Sequence, residues 1–553
     1  MSDFVFVPLG GVGEIGMNIA MYGFGPVRKR KWLIVDVGVT FPGPELPGVD
    51  LVLPDISFAE KVRDDIVGIV LTHAHEDHYG ALLALWDKLR VQVYATPFAA
   101  GMIDSKRDGF DGGPEFDVET FEAGDRFEIG PFEVEAVHVT HSIPEPVSLV
   151  IRTPLGNAIH TGDWKLDDHP SLGKPTDEEH FRRLGEEGVL ALICDSTNAM
   201  RDGVSPSEEA VGDGIAEVIA KAKGRVFVAT FSSNVGRIRS IAQAAQKAKR
   251  RVLLMGRSLM RVADVAADNG YMDDVHPFLA PNDFQTTARD KIVVILTGSQ
   301  GEDRAALARL ARDDHPFAKI SPGDTVVFSS RTIPGNERPI LEVKNGLIDQ
   351  GVEVVEDKDA LIHVSGHPRI NELQRMYEWT KPQIGVPVHG EPQHLAAQAA
   401  LMAEAGIPSV LSIRDGQMIR LAGGDPEVIK TVPWGRIYKD GRLIGDEKQV
   451  GVKQRRVLAS VGHVVVSIVI DAQGNMACDA DLQAFGLPSA TPDGEDMEDE
   501  LFDAAMNAFE GLPNKRRRDV ELIERSLTKA VSNSARAIWG KKPYVTVMVA
   551  KVK

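Results

Sequence analysis

Cysteine is almost missing: Cys194 and Cys478 are the only two in 553 residues. A disulfide framework is therefore excluded as the basis of the architecture, and a reducing cytoplasm is the expected setting. Long apolar runs are also absent. No stretch reaches the roughly 18 apolar residues that a membrane helix needs, so no span is expected. The opening stretch MSDFVFVPLGGVGEIG has an early acid and no Lys or Arg ahead of its apolar residues, which is unlike a secretory signal. Aromatic residues are only 6% of the chain, too few for extensive stacking on bases. Positive charge is in deficit, at a formal net charge of −18, which weighs against non-specific binding of polyanions. Divalent cations and local basic clusters offset such a deficit.

What is present suits ordinary globular cores, with 43% hydrophobic and 26% charged residues. The length allows about three or four domains of ~150 residues each. Up to about residue 195, short β-branched runs alternate with Gly, Pro and Asp: FVFVPLGG, KWLIVDVGV, IVGIVLTHAH, PFEVEAVHVTH, VSLVIRTP, VLALICDST. They suggest two sheets with helices outside, a layered α/β domain. From about 206 to 360 strands alternate with amphipathic helices, the pattern of a parallel sheet. The first strand type then resumes in ALIHVSGHP and QIGVPVHGEP. The alternating block thus reads as an insertion. Residues 441–460 are polar and basic and read as a linker. Residues 461–553 read as a small α+β domain, with PSATPDGEDMEDE as an exposed acidic loop.

The chemistry concentrates in THAHEDHYG, where His73, His75, Asp77 and His78 fall within six positions although the chain has only 15 histidines. Imidazoles and carboxylates are the ligands that suit zinc or manganese. At a strand end, His73 and His75 share a face because side chains repeat every two residues. Asp77 and His78 then lie on the turn into the next helix and can face a second ion. Further candidates each follow a strand-like run: His141, Asp163 and His389. Asp36 sits among apolar neighbours in WLIVDVGV, and a buried carboxylate needs a partner. His138 and His160 also lie near strand ends and are left out of the ligand shell. Gly10, Gly11, Gly13 and Gly16 do not follow G-x-G-x-x-G, so GGVGEIG reads as a tight turn near the metal cleft.

The order Asp36, HAHEDH, His141, Asp163 resembles the four motifs of the metallo-β-lactamase superfamily. Asp195 in LICDSTNA, His367 in HVSGHP and His389 in PVHGEP resemble motifs A, B and C of its beta-CASP nuclease branch. GGVGEIGMN, FSSNVGRI, SSRTIPGNE and HVSGHP are similar to the bacterial ribonuclease J family in particular. The resemblance implies a metallo-β-lactamase αββα sandwich (1–205 and 361–440), a beta-CASP domain inserted at 206–360, a linker at 441–460 and a C-terminal α+β domain at 461–553.

It also implies a two-metal phosphodiester hydrolase: zinc first, with manganese or magnesium as alternatives. His73, His75 and His141 would hold one ion, Asp77, His78 and His389 the other, and Asp163 would bridge them. Two ions about 4 Å apart activate water and neutralise a phosphodiester, so in-line attack would leave a 5′-phosphate and a 3′-hydroxyl. Asp36 is expected to orient a ligand histidine. Asp77, Asp195 and His367 form the expected catalytic set, with His367 on the scissile phosphate and Asp195 holding its tautomer or capping the next segment. HVSGHP is expected to end a strand, with Gly366 admitting substrate to the backbone. A pocket for a terminal 5′-monophosphate is implied at Ser232, Ser233 and Asn234, with His363, Val364, Ser365, Gly366 and His367. Arg331 is a candidate RNA contact.

The activity this implies is a 5′-to-3′ exoribonuclease with added endonuclease action, in RNA maturation and decay. The implied partners are single-stranded RNA, a second copy or three further copies of the chain, and RNA-decay proteins. Alternatives are a DNA nuclease, a small-molecule hydrolase on the same core, or a non-catalytic RNA scaffold. The basic runs 247–251, 453–456 and 515–518 are read mostly as solvated faces, with backbone contacts dominating RNA binding.

Overall fold

The computed structural model describes residues 2–109, 113–333 and 335–552. These divide into two compact units: 1–40 with 53–436, and 41–52 with 437–553.

The larger unit is built on two stacked sheets. The first has eight strands and runs, edge to edge, from Glu427–Thr431 through Gln417–Ala422, Ser2–Gly10, Ile19–Pro26, Lys31–Val35, Ile66–Val70 and Val93–Ala95 to Val118–Thr120. The second has seven and places Ile384–Val388, Ala191–Asp195 and Gly156–His160 side by side at its centre. Phe4, Phe6, Tyr22, Leu33 and Val35 of the first sheet share one core with Val134, Leu149, Ile151, Ile193 and Val386 of the second. The outer faces are covered as well. Trp32 packs edge-on against Phe58 of helix Ser57–Lys61, and Ile159 and Leu192 pack beneath Phe181, Leu373 and Trp379. Strands buried on both faces need apolar residues at every position, which is why these runs read as continuous rather than alternating.

The inserted sheet is parallel throughout, in the order Arg251–Met255, Ile292–Leu296, Val226–Ala229, Thr325–Phe328, Glu353–Val355. The connection from the central strand Val226–Ala229 runs toward Arg251–Met255, and that from its neighbour Thr325–Phe328 runs the opposite way, to Glu353–Val355. The carboxyl ends of these two neighbours are therefore a switch point, where a crevice opens.

Two buried carboxylates hold the segment just past Asp163, and the second ties it to the insertion. Glu372 accepts from Leu166 N at 2.7 Å, Ser205 N at 2.9 Å, Ser205 Oγ at 2.8 Å and Arg369 N at 2.9 Å. Asp167 Oδ2 accepts from Lys165 Nζ at 2.8 Å and Glu208 N at 2.9 Å. Glu208 in turn holds Arg237, whose guanidinium also donates to Ser329 Oγ and Ile362 O.

Three expectations about local structure need correction. HVSGHP is not a strand end: residues 361–369 carry no strand, because side chains take the carbonyls that a ladder would use. The expected linker holds strand Leu443–Gly445 and helix Val452–Val461, anchored by fully buried Val452. The acidic segment does not stay a loop to its end, since Asp496 caps helix Met497–Glu510 through Glu498 N and Asp499 N. Acids in that first turn complement the helix dipole.

The smaller unit pairs strand His463–Ile470 antiparallel with Asp481–Phe485 and parallel with Tyr544–Lys551. Helices Met497–Glu510 and Val520–Trp539 cover one face, burying Val464, Val466, Leu501, Phe509, Ile523 and Leu527. The basic runs are largely engaged by their own chain. Arg250 bonds the carbonyls of Ala222 and Gly224, Arg455 pairs with Asp440, and Arg518 donates to Gln473 O.

Candidate metal centre

Thr72 to His78 follow directly on strand Ile66–Val70, with Glu76–Tyr79 already in a short helix. Strand Phe132–His138 leads to His141, Gly156–His160 to Asp163, and Ile384–Val388 to His389. The ligand atoms of His73, His75, His141 and Asp163 lie within 4.8 Å of one another, and so do those of Asp77, His78, Asp163 and His389. Asp163 belongs to both groups.

In the first group, His75 Nδ1 is 3.1 Å from His73 Nε2 and 3.0 Å from His141 Nε2. Asp163 Oδ2 stands 3.8 and 3.6 Å from those two Nε2 atoms. A tetrahedral zinc with bonds near 2.0–2.1 Å separates its nitrogens by about 3.3 Å, so the spacing fits. His141 Nδ1 donates to Gly366 O at 2.7 Å, which leaves Nε2 as a lone pair. Burial, then neighbouring imidazoles, push His73 and His141 well below the usual histidine range. Burial takes His75 down to about 3. Neutral imidazoles are what a metal requires.

The second group carries more charge. Burial lowers His78 and His389, but carboxylates outweigh it, Asp163 first, and both are raised. A divalent cation there would take the place of those protons. His389 Nδ1 sits 2.9 Å from Asp163 Oδ1 but out of line for a hydrogen bond; both ring nitrogens and Asp163 Oδ1 are buried without a hydrogen-bond partner. Buried polar atoms rarely stay unsatisfied, and a cation would satisfy the Asp163 oxygen and the one ring nitrogen that carries a lone pair. Asp77 Oδ2 lies 3.7 Å from both His78 Nε2 and His389 Nε2.

Asp36 does not reach the cluster directly. It accepts from Thr72 N at 2.8 Å and Thr72 Oγ1 at 2.9 Å, and His78 Nδ1 donates to it at 2.7 Å. The bond fixes the His78 tautomer with Nε2 turned toward the cluster. The glycine-rich turn clamps the other side: His389 N donates to Gly11 O at 2.7 Å and Gly13 N to Gly390 O at 3.0 Å. His389 itself has a left-handed backbone, φ 51°. The two excluded histidines have other partners, His138 with Lys174 O and His160 with Tyr22.

Asp195 does two things at once. One oxygen caps Thr197 N at 2.8 Å, and the other accepts from His367 Nδ1 at 2.8 Å. Burial lowers His367, but Asp195 and then Asp163 bring it up to about 9. The missing side chain of Gly366 makes room for His141, whose ring would lie 2.5 Å from a Cβ there.

Asn234 caps helix Val235–Lys247 by accepting from Arg237 N, and Ser232 and Ser233 stand half-buried beside it at the switch point. Arg331 follows the neighbouring strand and is exposed. Arg237, bonded to both Ser329 and Ile362, draws FSSN, SSR and the HVSGH loop to one place. His363 lies there with Nδ1 unpaired, its titration lowered to about 3 by burial and then by Arg237 and Arg331. Val364 is buried in the same loop and Ser365 is half-buried. Thr72, Asn18, Asn198 and Glu372 had not been singled out. Asn18 stands in the quoted GGVGEIGMN and Asn198 in LICDSTNA, so position beside a motif was the available signal.

Fold and site together define a hydrolase of the metallo-β-lactamase superfamily carrying an inserted beta-CASP domain. The family model "Beta-lactamase superfamily domain" matches residues 32–191, and "Ribonuclease J, beta-CASP domain" matches 223–347. "Zn-dependent metallo-hydrolase RNA specificity domain" matches 351–412, and "Ribonuclease J C-terminal domain" matches 450–552. A ribonuclease J of Sinorhizobium meliloti is 58% identical over 551 residues, covering 100% of this chain and 98% of that protein. One of Mycobacterium tuberculosis is 40% identical over 470 residues, covering 84% and 82% respectively. A crystal structure of a protein of unknown function from Enterococcus faecalis shares the fold, with a TM-score of 0.53 at 17% identity, over 75% of this chain and all of that one. The chain belongs to the ribonuclease J family and is a metal-dependent ribonuclease.

Proposed function

We propose that the chain degrades RNA from its 5′ end, prefers a 5′-monophosphate, and also cuts internally, in rRNA maturation and mRNA decay in the cytoplasm. The observation that carries this reading is the meeting of two places in one loop. HVSGH reaches the metal cluster at His367 and the switch-point crevice at Ile362–Ser365. A terminal phosphate held at Ser232, Ser233, Asn234 and Ser365 would set the first phosphodiester beside His367, with Arg331 contacting the RNA.

Two zinc ions fit the donor set best, with manganese or magnesium as alternatives. Asp36, Asp77, Asp163 and Asp195 bring four carboxylates to the site, and two divalent cations match that charge. When bound, the cations supply Lewis acidity that activates water and offsets charge on the phosphodiester. His73, His75 and His141 would hold one, Asp77, His78 and His389 the other, and Asp163 both. Asp36 holds the proton on His78 Nδ1. Asp195 holds the proton on His367 Nδ1, leaving Nε2 to bond the scissile phosphate and protonate the leaving oxygen.

Association into dimers or tetramers through the 461–553 domain, and contact with RNA-decay proteins, complete the reading. Among the described residues no helix is long and apolar enough to cross a membrane, and a buried and an exposed free cysteine suit a reducing compartment.

The test offers the metal-loaded chain one RNA with a 5′-monophosphate or a 5′-hydroxyl, the same RNA circularised, matched DNA and a chromogenic lactam. Mononucleotide release from the 5′-phosphorylated RNA, and slower cutting of the circle, are expected. Equal rates for wild type and His75→Ala, or preference for DNA or lactam, would reject it.

A further inference from the structure

We infer that Asn198 is a specificity-determining positioning residue: its amide fixes the Ser365 hydroxyl as a hydrogen-bond donor toward the phosphate end of bound RNA. This deepens the 5′-monophosphate reading and rests on it.

Asn198 is buried three residues after Asp195. Its Nδ2 lies 3.0 Å from His367 O and 2.9 Å from Ser365 Oγ. A backbone carbonyl can only accept, so the amide nitrogen and not its oxygen must face His367 O. That settles the orientation of the amide without reference to Ser365. The second hydrogen on the same nitrogen then falls on Ser365 Oγ. His367 N adds a weaker approach to that oxygen at 3.4 Å.

Ser365 Oγ thus receives hydrogen bonds from the protein, and its own proton is left to point elsewhere. Among the described residues that proton has no protein acceptor. A half-buried hydroxyl whose acceptor side is filled can offer only its O–H to a ligand, and an anionic phosphate oxygen is the acceptor it suits. The inference needs no added charge in the crevice, only a defined direction for one dipole. The same turn also grips His367 at both ends: Asp195 Oδ2 takes the ring at 2.8 Å, and Asn198 takes the carbonyl. End recognition and the catalytic imidazole are therefore positioned by one short segment, 195–198.

Aspartate at this position keeps the shape and reverses the polarity. Its carboxylate would accept the Ser365 proton, face His367 O with no hydrogen between, and set a negative charge beside the phosphate.

The experiment compares wild type, Asn198→Asp, Ser365→Ala and the double variant, all metal-loaded and matched for metal content and melting. Each is given one RNA with a 5′-monophosphate or a 5′-hydroxyl end, and the circular form. Asn198→Asp should lower the 5′-monophosphate preference at least tenfold, chiefly through KM. Its effect on the circle should be smaller. Ser365→Ala should lower the preference as well, and in that background Asn198→Asp should lose the part of its effect that runs through the hydroxyl, so that the double variant falls short of the product of the two single effects.

An unchanged preference in Asn198→Asp, with all substrates slowed alike, would overturn the inference. So would multiplicative effects in the double variant. Should Asn198→Asp fail to fold, full preference retained by Ser365→Ala would overturn it equally. Wild type without any 5′-monophosphate preference would instead sink the underlying reading, and that outcome is visible before any variant is examined.

Discussion

Asp36→Asn isolates what a carboxylate outside the metal cluster contributes to it. Asparagine has the same shape but one oxygen and one NH2. The oxygen can keep the Thr72 N bond, now 2.8 Å. The NH2 then occupies the place of Oδ2, where Thr72 Oγ1 donates at 2.9 Å and His78 Nδ1 at 2.7 Å. Thr72 can adapt, since its hydroxyl oxygen can accept from the NH2 as it does from His73 Nδ1, 3.0 Å away. His78 cannot. With Nε2 turned to a cation, Nδ1 must carry the proton, and N–H would meet N–H. Taking the other tautomer would put a proton on Nε2, against the cation. Loss of such an orienting partner typically costs 10–100-fold in metal affinity, about 1.4–2.7 kcal/mol. The loss should fall on the site of His78, Asp77 and His389, and spare that of His73, His75 and His141. Equilibrium titration against a competing chelator, with metal counted per chain, reads both sites. Equal weakening of the two, or unchanged affinity at both, would refute the reasoning.

Asp415→Asn should show a stability gain that depends on pH. Asp415 accepts from Val12 N at 3.1 Å, and burial, then Glu14, push it up to about 8. A carboxyl raised above its unfolded value of about 3.9 contributes stability that is full below pH ~4 and is lost as pH rises to about 8. The variant's advantage in unfolding free energy should therefore grow from pH 5 to pH 8.5, by at most about 4 kcal/mol, and a constant gap would contradict this. Glu372→Gln leaves one acceptor oxygen for four donors. Urea unfolding should show a loss of about 2–5 kcal/mol, and a change below 1 kcal/mol would be inconsistent with it. Burial pushes the Cys194 thiol up to about 12, while Cys478 is exposed. A thiol reagent should accordingly label one cysteine per native chain and two after denaturation.

The meeting of the histidines and aspartates was the most legible feature of the chain because its signal is local. His73 to His78 fall within six positions, at the mouth of a strand, and the period-two rule already aims two of them together. His141, Asp163 and His389 were readable because each follows a recognisable strand. The HVSGH loop was misread for the opposite reason. Its backbone is held by His141, Asn198, Arg237 and Ser329, residues 33 to 225 positions away, and no local pattern announces such partners. Buried charges were illegible too. Glu372 in RINELQRM and Arg237 in VGRIRS look like the polar faces of surface helices, and only partners far along the chain, Ser205 for the one and Ser329 and Ile362 for the other, explain their burial. The demand for glycine at 366 has a source that sequence does not show: the ring of His141, 225 positions away, fills the place of a Cβ.

The central claim is that His73, His75, His141, Asp77, His78 and His389 cage two divalent cations across Asp163. Anomalous diffraction from crystals of catalytically active protein, recorded on both sides of the metal absorption edge, tests it directly. Two peaks a few ångströms apart, one on each side of the Asp163 carboxylate, are the expected result. Peaks elsewhere, or a fully active crystal form with no anomalous density at Asp163, would contradict it.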